Sequence, residues 1–200
     1  EGMVPLGAAL PDPNWLPINE LKAAVAAAQR KLSSDAQKYS LPPGRFDVRN
    51  QIAQLSAKRG TSFGPDELII TQGATEALSL ALEVTCKRGD IVLVETPAYF
   101  GHLCLLEKLG LKALEVPTHP LTGLQIPAVE KFIKEHQIAA ILCTPTLQNP
   151  LGATMPIENK KKLAAISAHH DIPIIEDDVY GLLAGDGDSA PPPTKAFDKK

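Results

Sequence analysis

The stretch Ile174-Ile-Glu-Asp-Asp-Val-Tyr180 is a short apolar run that ends in carboxylates, with a phenol behind them. β-Branched residues favour a strand, and the acidic residues that follow mark its end. Asp177 and Tyr180, three residues apart, can then emerge together where a buried strand meets open space, the edge at which parallel sheets bind ligands. A carboxylate there favours the protonated form of a nearby ring nitrogen, because an opposite charge stabilises a cation. A phenol beside it can donate to a ring oxygen. In isolation the same residues also describe a capping Asp followed by a surface Tyr.

Working outward, strands and helices alternate. Strands are expected at 68–71, 91–95, 112–116, 139–144 and 172–176, with helices at 75–87, 99–109, 127–136 and 157–170 between them. Such alternation requires crossover connections, so the fold class is α/β, a mostly parallel sheet with helices on both faces. Upstream, residues 1–17 carry four prolines and read as an extended arm anchored by Trp15, the single Trp. Asn19 can cap a helix over 20–32, and a second helix is expected over 46–58, closed by Gly60. The Pro-rich stretch 185–194 reads as a loop. The expected organisation is an arm, helix and contact loop over 1–44, followed by a ligand-binding domain over 45–200.

Composition narrows the function. The chain has 200 residues, 44% hydrophobic and 22% charged, with a net charge of −3, and no dense basic block offers a footprint for nucleic acid. No apolar run approaches the roughly 20 residues of a membrane span, and a cytoplasmic location is expected. Cys86, Cys104 and Cys143 lack metal or disulfide spacing and sit in apolar segments, so buried reduced thiols are expected. No metal site is expected; His169 and His170 suit a helix C-terminus.

The turns after the strands carry matching chemistry. In Thr71-Gln-Gly-Ala-Thr-Glu-Ala77, Gly73 permits a sharp turn, and Ala74 and Thr75 present free N–H groups at a helix N-terminus, a ready anion site. In Glu95-Thr-Pro-Ala-Tyr-Phe100, Tyr99 can lay its ring on a planar ligand. In Pro145-Thr-Leu-Gln-Asn-Pro-Leu-Gly152, Asn149 can donate to a ring oxygen, although Asn-Pro is also turn chemistry without any ligand. An anion cradle, an aromatic plate, an amide donor and a carboxylate with a phenol together describe a phosphorylated pyridine with a ring hydroxyl.

This ordered set resembles the large domain of fold-type I pyridoxal-phosphate enzymes, the aminotransferase superfamily. The resemblance implies that Gly73, Ala74 and Thr75 form the phosphate turn, Tyr99 stacks on the ring and Asn149 contacts the ring hydroxyl. Asp177 would partner the pyridine nitrogen, with Tyr180 as a second hydroxyl contact. Tyr39, in Tyr39-Ser-Leu-Pro-Pro-Gly44, resembles the Tyr that reaches the phosphate of a neighbouring subunit, which implies a homodimer. More narrowly, Pro5-Leu-Gly-Ala-Ala-Leu-Pro-Asp12 and Glu176-Asp-Asp-Val-Tyr-Gly181 are similar to the aminotransferase-like effector domain of MocR-type regulators in the GntR family. That implies a DNA-binding domain outside this chain and a small amino-acid or amine effector. Stand-alone transaminases of the aminoadipate and kynurenine type share most of these motifs.

Two departures stand out. The family's Schiff-base Lys lies in a Ser-x-Ser-Lys-like turn, which this sequence lacks; Lys195, Lys199 and Lys200 have no matching context. The domain is therefore expected to be incomplete at its C-terminus and inactive by itself, an empty scaffold being the plainest alternative. Ala9 replaces the second Gly of a Gly-x-Gly-x-Pro arm, which weighs against ordinary transamination.

Overall fold

The structure is a computed structural model that describes residues 11–185 and 190–198. The chain forms two compact units, 1–41 and 42–200. Ala9, most of the stretch from Pro5 to Asp12, and Lys199 and Lys200 lie outside the described residues.

In the first unit, Asp12 caps a 3₁₀ turn, Pro13–Trp15, by accepting from the Asn14 N–H at 2.9 Å. Helix α1, Ile18–Leu32, follows and buries no residue. One expectation fails here. Pro17, not Asn19, occupies the cap position, where no intrahelical bond needs its missing N–H. Trp15 is largely exposed, and most of the arm it was expected to anchor lies outside the described residues.

The second unit opens with α2, Phe46–Ala57, and α3, Ala74–Thr85. It continues through β1 (Ile91–Thr96), α4 (Phe100–Leu109), β2 (Lys112–His119), β3 (Gly123–Leu124) and α5 (Ile126–Glu135). It closes with β4 (Ile138–Cys143), α6 (Ile157–His170) and β5 (Ile174–Glu176). The sheet order is β3-β2-β1-β4-β5, parallel except for β3, which runs back along β2. The alternating faces of β1 and β4 explain the two cores. On one face Val94, Leu142 and Ile175 pack against Leu78 and Leu82 of α3 and Leu105 and Leu106 of α4. On the other, Leu93, Ile141 and Cys143 meet Val129 of α5 and Leu163 of α6.

The expected strand at 68–71 is not a strand. Leu68 is extended, but its N–H turns back to the Pro65 carbonyl at 3.3 Å, the Ile70 N–H donates to the Pro43 carbonyl at 2.9 Å, and Ile69 is exposed. Strand propensity describes fitness for a pleated neighbour, and no described strand lies beside these residues. β5 likewise starts at Ile174 rather than 172, because Pro173 brings no N–H; its carbonyl still accepts from the Ile141 N–H at 2.9 Å. All three cysteines are free, but only Cys143 is buried: Cys86 is half-buried and Cys104 exposed. Residues 194–197 form a 3₁₀ turn where only loop was expected. Among the described residues no helix is long and apolar enough to cross a membrane.

Leu142 sits fully buried in the central part of the sheet, so Leu142→Ala should cost about 2–5 kcal/mol in urea unfolding. Val84→Ala, at a position 86% exposed, should stay within about 0.5 kcal/mol. Equal losses at the two positions would contradict the placement of this core.

Candidate functional site

The carboxyl ends of β1, β4 and β5 meet at one edge of the sheet. The ladder runs one residue past β5, with the Asp177 N–H donating to the Cys143 carbonyl at 2.9 Å. Since Ile175 faces α3 and α4, residue 177 faces the same way, standing just above that core. There Asp177 is 9% exposed, and its Oδ2 accepts from His102 Nε2 at 3.0 Å. The Val179 N–H lies 3.4 Å from Oδ1.

His102 belongs to the first turn of α4, where it is 1% exposed. Its ring meets Tyr99 edge-on, with centroids 5.5 Å apart. The Tyr99 ring folds back over the helix start into space that only glycine at 101 leaves free, for a Cβ there would collide with it. Tyr99, His102 and Asp177 thus form one contiguous group, of which the sequence reading had found the first and last. A His in the apolar first half of α4, three residues after the Tyr, was the available signal.

The loop after β4 is drawn to the same edge. Gln148, fully buried, donates from Nε2 to the Pro97 carbonyl at 2.7 Å and accepts the Leu151 N–H at 2.9 Å. It thereby ties the half-buried Asn149 to the turn that carries Tyr99. Leu147, with φ of 50°, holds a left-handed conformation within this loop.

Helix α3 reaches the edge from the other end. It stops at Thr85, shortly before β1 begins, so it runs down the sheet and its N-terminus lies at the carboxyl edge. Gly73, with φ of 93°, ends in open space: a Cβ there would touch nothing within 4 Å. Ala74 and Thr75 are exposed, and helix geometry leaves their N–H groups without intrahelical acceptors. Glu76 turns back to accept the Gln72 N–H at 2.5 Å. The cradle therefore follows an extended segment, not the strand expected before it. Tyr180 is half-buried in the turn after Asp177. Tyr39 is exposed and belongs to the first unit.

A second carboxylate escaped the sequence reading. Glu95 is buried at the end of β1, its Oε2 accepting the Thr144 N–H at 3.0 Å while Oε1 has no partner. Burial raises its pKa to about 7 against the Thr144 N–H and the nearby Gln148 amide, and the charge of Asp177 adds to the rise. Among the described residues no group of three His, Cys, Asp or Glu could hold a metal.

A mostly parallel sheet with an aromatic, a buried His–carboxylate pair and an open helix N-terminus at its carboxyl edge defines a domain of the aminotransferase fold. Residues 4–197 match the model of the family aminotransferase class I and II, and the chain belongs to that family. It is 38% identical over 197 residues to the HTH-type transcriptional regulator YdcR of Escherichia coli K12, covering 98% of this chain and 42% of the relative. Among solved structures it resembles kynurenine aminotransferase of Pyrococcus horikoshii, with a TM-score of 0.87 and 27% identity over 96% of this chain and 48% of the other. LysN, the α-aminoadipate aminotransferase of Thermus thermophilus, gives a TM-score of 0.77 and 29% identity over 87% and 43%. The chain thus spans less than half the length of these relatives.

Because the folded Glu95 pKa of about 7 exceeds its ordinary 4.5, the native state binds this proton more tightly than the unfolded chain. The contribution of Glu95 to stability therefore falls as pH rises from 4.5 to about 7. Glu95→Gln should remove that fall, so urea unfolding should show the variant gaining on the wild type by on the order of 3 kcal/mol between acid and mildly alkaline pH. Parallel pH–stability curves would contradict this assignment.

Proposed function

We propose that this chain is the pyridoxal-phosphate-binding, aminotransferase-like effector domain of a GntR/MocR-type transcriptional regulator, acting as a homodimer. The single observation that carries the cofactor reading is the buried Asp177 carboxylate, paired with His102 beside the Tyr99 ring. The donor set fits the group. Ala74 and Thr75 offer N–H donors above the open space at Gly73 for a phosphate, Tyr99 a flat apolar surface, and Asn149 and Tyr180 donors for a ring hydroxyl. Pyridoxal phosphate, when bound, supplies a cationic ring that withdraws electrons from an attached amine.

The chain's own residues bind and tune. Asp177 holds a proton at the ring nitrogen by its charge, and His102 orients that carboxylate by occupying one of its oxygens. Tyr99 excludes water from one ring face, while the α3 terminus fixes the anionic pole. Tyr39 serves the phosphate of a partner subunit. Neither Lys160 nor Lys195 suits the Schiff-base Lys: the first is enclosed by Thr146 and the Pro192 carbonyl at 2.8 Å each, and the second sits on the α6 side of the sheet, its N–H on Glu176 at 3.2 Å, away from Asp177. We therefore place that Lys, the domain that touches DNA and the rest of the amine-binding site in other parts of the full-length protein.

Similarity to YdcR supports the regulator; similarity to LysN, whose structure holds a phosphopyridoxyl-leucine, supports an amino-acid transaminase as the second reading. Full-length protein should bind DNA upstream of its own gene, with an affinity that changes when pyridoxal phosphate and an amino acid are added together. Steady turnover of an amino acid without DNA binding would favour the transaminase. In either case Asp177→Asn should weaken cofactor binding by about tenfold or more, measured by absorbance titration. Unchanged affinity would remove Asp177 from the site.

A further inference from the structure

Beneath the site lies a group of charges, Arg59 and Lys160 buried and Glu176 and Asp178 half-buried, that the cofactor reading does not use. Arg59, just beyond α2, is 8% exposed, and its guanidinium faces two targets at once. Nη1 and Nη2 grip the two carboxylate oxygens of Asp178, the second contact at 3.1 Å. Nε and Nη2 donate to the Pro191 carbonyl at 3.2 and 2.9 Å. Two more side chains, the buried Lys160 and the half-buried Glu176, hold the same strap. Lys160, 0% exposed, donates to the Pro192 carbonyl, and Glu176 accepts from the Thr194 and Lys195 N–H groups at 2.8 and 3.2 Å. Five hydrogen bonds from three side chains thus fasten the backbone of residues 191–195.

Arg59 differs from the other two because its side chain grips both the strap, at Pro191, and a side chain inside the Asp177–Tyr180 turn, that of Asp178. Asp178 is the chain neighbour of Asp177, and the fork leaves it little freedom to rotate. Gly181 completes the arrangement, since a Cβ there would collide with both the guanidinium and the Asp178 carboxylate. A planar, two-pronged donor is required: a Lys could not span both oxygens and the carbonyl.

We propose that Arg59 is a positioning residue for the cofactor carboxylate, fixing through Asp178 the turn that aims Asp177 and Tyr180 at the pyridine ring. The inference rests on the cofactor reading above. Arg59 touches no ligand itself; it sets how rigidly Asp177 meets one.

The experiment uses full-length protein and pyridoxal phosphate as the probe, with Asp177→Asn as the reference. Arg59→Gln and Asp178→Asn should each weaken cofactor binding about tenfold, and the double variant should lose no more than either one, since both break the same link. Arg59→Lys, a folded fallback that keeps the charge, should weaken binding and lower the pH at which the bound cofactor's absorbance changes. Lys160→Met cuts another strap bond without touching Asp178; it should lower the thermal midpoint yet leave affinity within about twofold and the pH profile unmoved. If Arg59→Gln, or Arg59→Lys where the former does not fold, binds like wild type while Asp177→Asn does not, the positioning role is overturned and the site survives. Additive losses in the double variant, or an equal affinity loss in Lys160→Met, would reduce Arg59 to general support and also overturn it. If Asp177→Asn binds like wild type, the cofactor reading itself fails.

Discussion

A carboxylate kept out of water at the end of a parallel sheet is the constraint around which the second unit is arranged. Asp177 is buried with one close side-chain partner, His102 at 3.0 Å. Taking a charge out of water is costly unless hydrogen bonds or an opposite charge compensate, and buried sites of this kind concentrate at functional positions. His102 supplies part of the compensation, and a cationic ring would supply more. That ordering explains why the surroundings are so heavily tied down: Gln148 bolts one loop to Pro97, and Arg59 bolts the Asp178 turn to Pro191.

The topology makes this convergence possible. Parallel pairing brings the carboxyl ends of the strands to the same edge, so turns separated by long stretches of sequence, after β1, β4 and β5, come together beside the N-terminus of α3. The two cores then divide the work. The face shared by α3 and α4 carries Asp177, His102 and Tyr99 above its apolar layer, while the α5 and α6 face carries Lys160 and Glu176, which hold residues 192–195. Alternation along β5 sends Glu176 to one task and Asp177 to the other.

Much of this was legible from residue order. Apolar runs of strand length separated by amphipathic stretches gave the parallel sheet, and Gly73, Tyr99, Asn149 and Asp177 stood out because each sits in turn chemistry after such a run. What stayed hidden shares a physical cause: contacts across sequence distance leave no local pattern. His102 looks like a stray polar residue in the apolar first turns of α4 until Asp177, 75 positions away, supplies its reason. Arg59 meets Asp178 across 119 positions, and Lys160 reads as one of three successive surface lysines although it is fully buried. The segment 68–71 misled for the converse reason, since its Leu-Ile-Ile composition has strand propensity but gains no neighbouring strand among the described residues.

The most direct measurement is a crystal structure of the full-length protein grown with pyridoxal phosphate. The account predicts the pyridine nitrogen within hydrogen-bond distance of Asp177, the phosphate on the N–H groups of Ala74 and Thr75, and the Tyr99 ring against one face. A cofactor bound elsewhere, or one whose nitrogen faces away from Asp177, would contradict it.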